Sequence, residues 1–210
     1  MRLLKVLGLL APALALVPIH AQATTLSNGT FADPACAAAY CTVFAPDSST
    51  IANWTVVSGS VDLITTYWQA PPGGGNSIDM DGNAPGEISN TFATIAGVQY
   101  VVNFDLSGNP DGCGVKTVQV SAAAASQNFT FDSCTIPNKS NMLWQDPQFF
   151  FTADAGLTTL DFKSLDASGP YGAAIGDVTV DPVPEPITVS LFGAGILAAA
   201  GLRRRKATHS

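Results

Sequence analysis

Residues 98–106 read Val-Gln-Tyr-Val-Val-Asn-Phe-Asp-Leu, with a large apolar residue at every second position from Tyr100. Side chains alternate between the two faces of an extended strand, so Tyr100, Val102, Phe104 and Leu106 share one face. A face of four large apolar residues opposite a more polar one is typical of a strand that covers a hydrophobic core. The stretch therefore predicts a half-buried β-strand of about nine residues.

Nine more short runs of the same kind surround this strand, each rich in Val, Ile, Thr and aromatic residues. They are residues 54–57, 60–64, 77–80, 87–93, 115–121, 128–131, 148–152, 157–162 and 174–180. Ser58-Gly59 and Asp81-Gly82-Asn83 are turn signals between them. Residues 32–49, rich in Ala, Pro and Ser, are expected to form a surface loop. With no helical periodicity inside residues 24–182, the pattern predicts an all-β antiparallel sandwich or jelly roll.

The N-terminus is typical of an export signal. Arg2 and Lys5 precede an apolar stretch over residues 3–17, and Ala21-Gln22-Ala23 fits a small-x-small cleavage site. An N-terminal membrane helix is the alternative, but Pro12 interrupts the stretch. We expect residues 1–23 to be a signal peptide and residues 24–182 to form the folded domain.

The C-terminus, residues 183–210, has three parts in a fixed order. Pro184-Glu185-Pro186 comes first, then an uncharged apolar run over residues 187–202, then Arg203, Arg204 and Arg205. An apolar run of this kind predicts a short membrane helix whose basic end stays on the cytoplasmic side. The segment resembles the PEP-CTERM sorting signal of Gram-negative bacteria, which implies cleavage by an exosortase-type membrane protease. The alternative is a permanent C-terminal membrane anchor.

The exported part of the chain is strongly acidic. Within residues 24–186, Lys116, Lys139 and Lys163 stand against sixteen acidic residues, a net charge of −13. Nucleic-acid recognition requires basic patches, so we expect no nucleic-acid partner. An acidic surface is typical of proteins that stay soluble outside the cell, and its carboxylates could also hold divalent cations.

Four cysteines, Cys36, Cys41, Cys113 and Cys134, lie in the exported part. An even number in an oxidising compartment indicates disulfides, and four cysteines allow three connectivities. The pairing Cys36–Cys41 with Cys113–Cys134 is preferred because each bond closes a local loop. A zinc site is disfavoured, since neither histidine nor a CxxC pair supports one.

Several motifs, in order, resemble the choice-of-anchor C family over residues 28–180. They include Trp54-Thr55-Val56-Val57-Ser58-Gly59, Asn76-Ser77-Ile78-Asp79-Met80-Asp81-Gly82 and Tyr171-Gly172-Ala173-Ala174-Ile175-Gly176-Asp177-Val178. The resemblance implies a galactose-binding-like jelly roll with a structural calcium at the terminal strands, for which Asp33 and Asp177 are the candidate ligands. This chain has Ala32 where the family usually has Glu, and that departure weakens the calcium prediction.

Catalytic chemistry is restricted by the absence of histidine from residues 24–186. Serine and cysteine nucleophiles with a histidine base are therefore excluded. The remaining enzyme hypothesis is a glycoside hydrolase with two carboxylates, for which Asp62, Asp79, Asp81 and Asp105 are candidates. We expect a non-enzymatic protein.

A sugar-binding site needs an aromatic ring and a few polar groups, and probable loops supply both. The candidate ligand-binding residues are Tyr67, Trp68, Gln69, Asn109, Asp111 and Tyr171. Alternatively, Trp54 and Trp144 are core residues and Trp68 covers a sheet edge. The sequence thus predicts an exported surface or extracellular-matrix protein that binds polysaccharide, or a purely structural matrix protein.

Overall fold

Eleven antiparallel strands form two stacked sheets in the computed structural model, which describes residues 26–32 and 36–184. The strands are β1 (Tyr40–Phe44), β2 (Thr55–Ser58), β3 (Ser60–Ile64), β4 (Ser77–Asp79), β5 (Glu87–Ala93), β6 (Gln99–Gly108), β7 (Val115–Ala122), β8 (Ala125–Asp132), β9 (Gln148–Thr152), β10 (Leu157–Ser164) and β11 (Ala173–Pro182). A single 3-10 turn, Ser133–Thr135, follows β8. The predicted all-β class is confirmed.

The larger sheet has the order β1-β3-β4-β11-β6-β9 and the smaller one β2-β5-β10-β7-β8. From β4 to β11 the chain passes repeatedly from one sheet to the other, so most sequential strands lie in different layers. Only β7–β8 and β3–β4 pair directly with their sequence neighbours. This alternation between layers, with every pair antiparallel, is that of a jelly-roll sandwich.

The core lies between the two sheets. Tyr100, Val102, Phe104 and Leu106 of β6 are all at most 2% exposed, which confirms the predicted face of residues 98–106. The ring of Phe104 lies 5.2 Å from that of Phe162 on the opposite sheet. Burial of such side chains contributes about 1.5–3 kcal/mol each and is the main stabilising term.

One expectation differs from the structure. The stretch predicted as a loop over residues 32–49 contains β1, whose Val43 is buried in the core and whose Thr42 pairs with Asp62 of β3. The turn at Ser58-Gly59 joins strands of different sheets. Gly59 has φ +61°, and a Cβ there would lie 1.9 Å from the Pro85 carbonyl oxygen, so glycine permits the chain to change layers.

Two disulfides, Cys36–Cys41 and Cys113–Cys134, are formed in the pairing preferred from the sequence. The first fixes the chain that leads into β1, and the second ties the loop before β7 to the turn after β8. Closing the longer loop contributes on the order of 3 kcal/mol in the chain-entropy description. Both bonds fit an oxidising compartment.

Candidate functional site

The outer face of the six-stranded sheet is partly covered by two loops, residues 65–76 and 133–147. They enclose a second apolar cluster of Ile64, Trp68, Met142 and Ala174. Gln69 joins the loops, since its backbone N–H donates to the Lys139 carbonyl at 2.7 Å and its side-chain oxygen accepts from the Met142 N–H at 2.8 Å. The face away from the core therefore carries a small layer of its own.

An open groove of about 360 Å³ lies between these loops. It is lined by Thr66, Tyr67, Trp68, Gln69, Lys139 and Ser140, and we call it the loop groove. Three of these six are residues predicted to bind ligand. The loop groove thus contains the consecutive predicted residues Tyr67, Trp68 and Gln69, while Asn109, Asp111 and Tyr171 do not line it.

A charged trio orders one side of the loop groove. The Tyr67 hydroxyl donates to Asp111 Oδ2 at 2.7 Å, and Lys139 Nζ lies 2.8 Å from the same oxygen. Lys139 also lies 3.8 Å from the centre of the Tyr67 ring, a cation–π contact. Burial opposes ionisation of Asp111, but the hydrogen bonds from Lys139 and Tyr67 outweigh it and lower its pKa. Asp111 is therefore the ionised acceptor that Lys139 and Tyr67 share.

Exposed tyrosines flank this trio. Tyr40 of β1 is 46% exposed, and its ring centre lies 5.2 Å from that of Tyr67. Tyr171 is 43% exposed and packs on Gly112, next to Asp111. The rings of Tyr40 and Tyr171 are thus open to solvent on either side of the Tyr67–Asp111 hydrogen bond.

Two predicted ligand-binding residues are buried instead. Trp68 is 6% exposed, and its indole N–H donates to Ser77 Oγ at 2.9 Å, so protein atoms cover most of its ring. Asn109 is 5% exposed; its amide donates to Asp79 Oδ2 at 2.6 Å and its side-chain oxygen accepts from the Asp111 N–H. The loops fold back over the sheet and bury both side chains, and a direct binding role for these two residues stays a prediction. Asn109 positions Asp111.

The other two tryptophans, Trp54 and Trp144, lie in different parts of the domain. Trp54 is 1% exposed in the main core, as expected. Trp144 is only half-buried against the second cluster, and its indole N–H donates to the Gln69 carbonyl at 3.3 Å. It supports the loop groove from the side.

Sequence reasoning did not select Lys139, Thr66, Ser140 or Tyr40. Lys139 is one of three lysines in residues 24–186, and a rare cation in an acidic domain was a usable signal. Tyr40 was not selected as a binding residue because residues 32–49 were expected to form a loop, whereas Tyr40 begins β1. Thr66 and Ser140 carry no pattern that separates them from other loop residues.

The carboxylates of the glycoside hydrolase hypothesis are poorly accessible. Asp79 and Asp81 are 0% exposed, and Asp105 is 8% exposed. Burial raises the pKa of Asp79 to about 8, against hydrogen bonds from the Asp81 N–H, the Asn109 amide and the Gly172 N–H. Burial also raises the pKa of Asp81 to about 6, with the Ser164 hydroxyl and Lys116 lowering it and the charge of Asp166 raising it further. Asp62, which is Asp79's partner on β3, is half-buried and its pKa is raised by burial.

The predicted calcium site can be tested only in part. Asp33 lies outside the described residues, and Asp177 packs against Gly73, where a Cβ would meet its carboxylate. Over residues 26–32 and 36–184, no three His, Cys, Asp or Glu side chains converge as a metal site. The described residues alone do not assemble this site, and calcium at Asp33 and Asp177 stays a prediction.

Comparison with known proteins decides the family. Residues 24–181 match the family described as "Protein of unknown function (DUF642)". The chain belongs to the DUF642 family. Residues 182–206 of this DUF642 protein match the PEP-CTERM protein-sorting motif. That match covers Pro184, Glu185, Pro186 and the three arginines, and it indicates export and sorting to the surface or the exterior.

One curated relative is halomucin from Haloquadratum walsbyi, 31% identical over 157 residues. The alignment covers 74% of this chain but 2% of halomucin, so the DUF642 protein corresponds to a small part of that relative.

Solved structures resemble this DUF642 protein weakly. A CBM4 structure has a TM-score of 0.42 at 15% identity and covers 75% of this chain and 99% of its own. A CBM61 structure in complex with β-1,4-galactotriose has a TM-score of 0.40 at 14% identity, covering 76% and 99%. A Stig cyclase from Fischerella has a TM-score of 0.44 at 12% identity, covering 80% and 100%. Scores of this size carry no argument about a ligand or an activity.

The signal peptide and the expected membrane helix over residues 187–202 lie outside the described residues. Within residues 26–32 and 36–184, no helix is long and apolar enough to cross a membrane.

Proposed function

We propose that residues 24–182 form a non-enzymatic domain that binds a polysaccharide in the loop groove. The supporting observation is the exposed ring of Tyr40 beside the ordered Tyr67–Asp111–Lys139 trio. An aromatic ring can stack on the C–H face of a sugar, while fixed polar groups pair with its hydroxyls. Because the trio is already hydrogen-bonded, little ordering cost remains for binding.

The charge of the domain favours a neutral polysaccharide. The net charge of residues 24–186 is −13, and Lys139, the cation in the loop groove, is already paired with Asp111. An acidic polymer would meet like charge without an unpaired cation in the loop groove to offset it. We therefore expect binding that does not weaken strongly with salt.

Replacing Tyr40 with alanine is expected to weaken polysaccharide binding about three- to tenfold, the equivalent of a lost aromatic contact of 0.5–1.5 kcal/mol. A glycan array with the full chain identifies the ligand, and calorimetry then gives the affinities. Phe44→Ala is the matched control, because Phe44 is 57% exposed on the same face of β1 and about 13 Å away. Equal losses for both variants, or no bound glycan, would count against the loop groove as the binding site.

Export and sorting complete the proposal. The PEP-CTERM match supports a transient membrane helix over residues 187–202 that an exosortase-type protease removes, followed by retention at the cell surface or in the matrix. The choice-of-anchor C assignment, the signal peptide over residues 1–23 and the domain bounds 24–182 and 183–210 stay predictions beside it.

Processing is expected to leave a chain that begins near Thr24 and ends near Pro184-Glu185-Pro186. Intact-mass analysis of the protein from its native host measures both ends. An exported product that still ends at Ser210 would favour the permanent membrane anchor over the sorting signal.

A further inference from the structure

Two carboxylates near one end of the sandwich have oxygens without hydrogen-bond partners. In the described part of the chain, both side-chain oxygens of Asp81 and the Oδ2 atom of Asp166 are buried and unpaired. Asp81 is 0% exposed as a residue. Buried polar groups are nearly always paired, so three orphaned acceptors in one region need a physical explanation.

Three segments bring these side chains together: the loop after β4, the loop after β10 and the start of β7. One carboxylate oxygen of Asp166 is paired, since its Oδ1 atom accepts a hydrogen bond from the Thr117 N–H at 2.9 Å. Its own N–H donates to Ser164 Oγ at 3.2 Å, and the buried Ser164 hydroxyl lies near the Asp81 carboxylate without the geometry of a hydrogen bond to it. Ser164 therefore lies near both acids.

The nearby protein charges do not neutralise the pair. Asp81 and Asp166 repel each other, and Lys116 is the cation that acts on Asp81 from a longer distance. The ion pairs formed among the described residues are Lys139–Asp111 and Lys163–Glu87, so Lys116 does not form one. Buried carboxylate oxygens that neither a cation nor a hydrogen-bond donor satisfies, here both of Asp81 and Oδ2 of Asp166, are costly in free energy.

We propose that Asp81 and Asp166 bind a calcium ion. Their three unpaired oxygens are the hard ligands that calcium prefers, and the Ser164 hydroxyl, main-chain oxygens and water would complete its shell. Asp166 is only half-buried, which gives the ion a route from solvent. With two protein carboxylates the affinity should be that of weak extracellular sites, roughly 10⁻⁴–10⁻³ M. This site is distinct from the one predicted at Asp33 and Asp177.

The bound ion orders loops that also hold the trio. Asp79 Oδ1 accepts from the N–H groups of Asp81 and Gly172, and its other oxygen accepts from the Asn109 amide. Asn109 in turn holds the Asp111 N–H. Calcium at Asp81 therefore stabilises the loop that carries Asp111, although calcium binding itself does not depend on any sugar.

Calorimetric titration of the full chain with CaCl₂ after removal of metal by EDTA tests the proposal. Loss of a partner in the outer shell of a metal site weakens binding by roughly 10–100-fold. Asp81→Asn and Asp166→Asn each remove a direct ligand, so we expect each to weaken calcium binding by more than that. Asp154→Asn is the matched control, because Asp154 is exposed and belongs to neither calcium site, and it should leave this binding unchanged. MgCl₂ should bind more weakly, because magnesium requires a rigid octahedral shell.

The variants are first compared by thermal unfolding in EDTA, so that a folding defect is recognised. If Asp81→Asn does not fold, Asp166→Asn decides alone, since Asp166 lies nearer the surface. The proposal is overturned if the parent chain takes up no calcium at about 10 mM, tenfold above the weak limit for extracellular sites. It is equally overturned if Asp81→Asn and Asp166→Asn fold and bind calcium as the parent chain does.

Discussion

Trp68→Ala is expected to lower the free energy of unfolding by about 3–5 kcal/mol, the usual cost of removing a large buried ring. Trp68 is the largest member of the cluster with Ile64, Met142 and Ala174 on the outer face of the six-stranded sheet. Its indole N–H also satisfies Ser77 Oγ, which is buried. Urea unfolding followed by fluorescence or circular dichroism measures the loss.

Trp68→Phe is the matched control. A phenyl ring keeps most of the packing and removes mainly the N–H donor, so the loss should be about 1–2 kcal/mol. If Trp68→Ala instead left stability unchanged and abolished retention on a polysaccharide, Trp68 would be a stacking surface after all, as first predicted from the sequence.

Much of the fold could be predicted from the sequence because burial on one face leaves a pattern of period two. Ile88, Asn90 and Phe92 share a face in β5, and all three are buried, including Asn90, whose amide donates to the Ser27 carbonyl. β1 was missed because its Tyr and Cys follow an Ala- and Pro-rich stretch that is typical of a loop. A strand at a sheet edge, with one buried valine, carries too weak a pattern to outweigh that composition.

The site could be predicted only in part, because it is made by loops that meet across long sequence separations. Tyr67 and Asp111 were selected separately as loop residues, and 44 positions separate them in the chain. Nothing in either segment shows that Asn109 turns inward to Asp79 or that Lys139 completes the trio. Exposure of a loop residue depends on what the loop packs against, and here the loops cover the outer face of a sheet.

Asp79→Ala is expected to lower the free energy of unfolding by about 3–5 kcal/mol, because three buried N–H donors lose their acceptor at a cost of about 1–3 kcal/mol each, partly offset because the desolvation cost of the buried carboxyl group disappears. Those donors are the backbone N–H groups of Asp81 and Gly172 and the Asn109 amide. Asp79→Asn should lower the free energy of unfolding by about half as much. The new side chain keeps one oxygen for the two backbone N–H donors, but its NH₂ group then faces the NH₂ group of Asn109, and neither can accept a hydrogen bond. Unfolding is measured by urea in EDTA, so that a bound cation does not contribute.

The control for Asp79 is Asp154→Ala, because Asp154 is exposed and surface substitutions usually change stability by at most about 0.5 kcal/mol.

The same Asp79 variants separate a structural acid from a catalytic one. A glycoside hydrolase would lose the release of reducing sugar in Asp79→Asn while its unfolding midpoint stayed close to that of the parent. We expect the opposite: no reducing sugar from the parent chain, and a clear loss of stability in the variant. Since the Asp79 carboxylate is 0% exposed and accepts three hydrogen bonds, its role is to join the Asp81, Asn109 and Gly172 loops at one end of the sandwich.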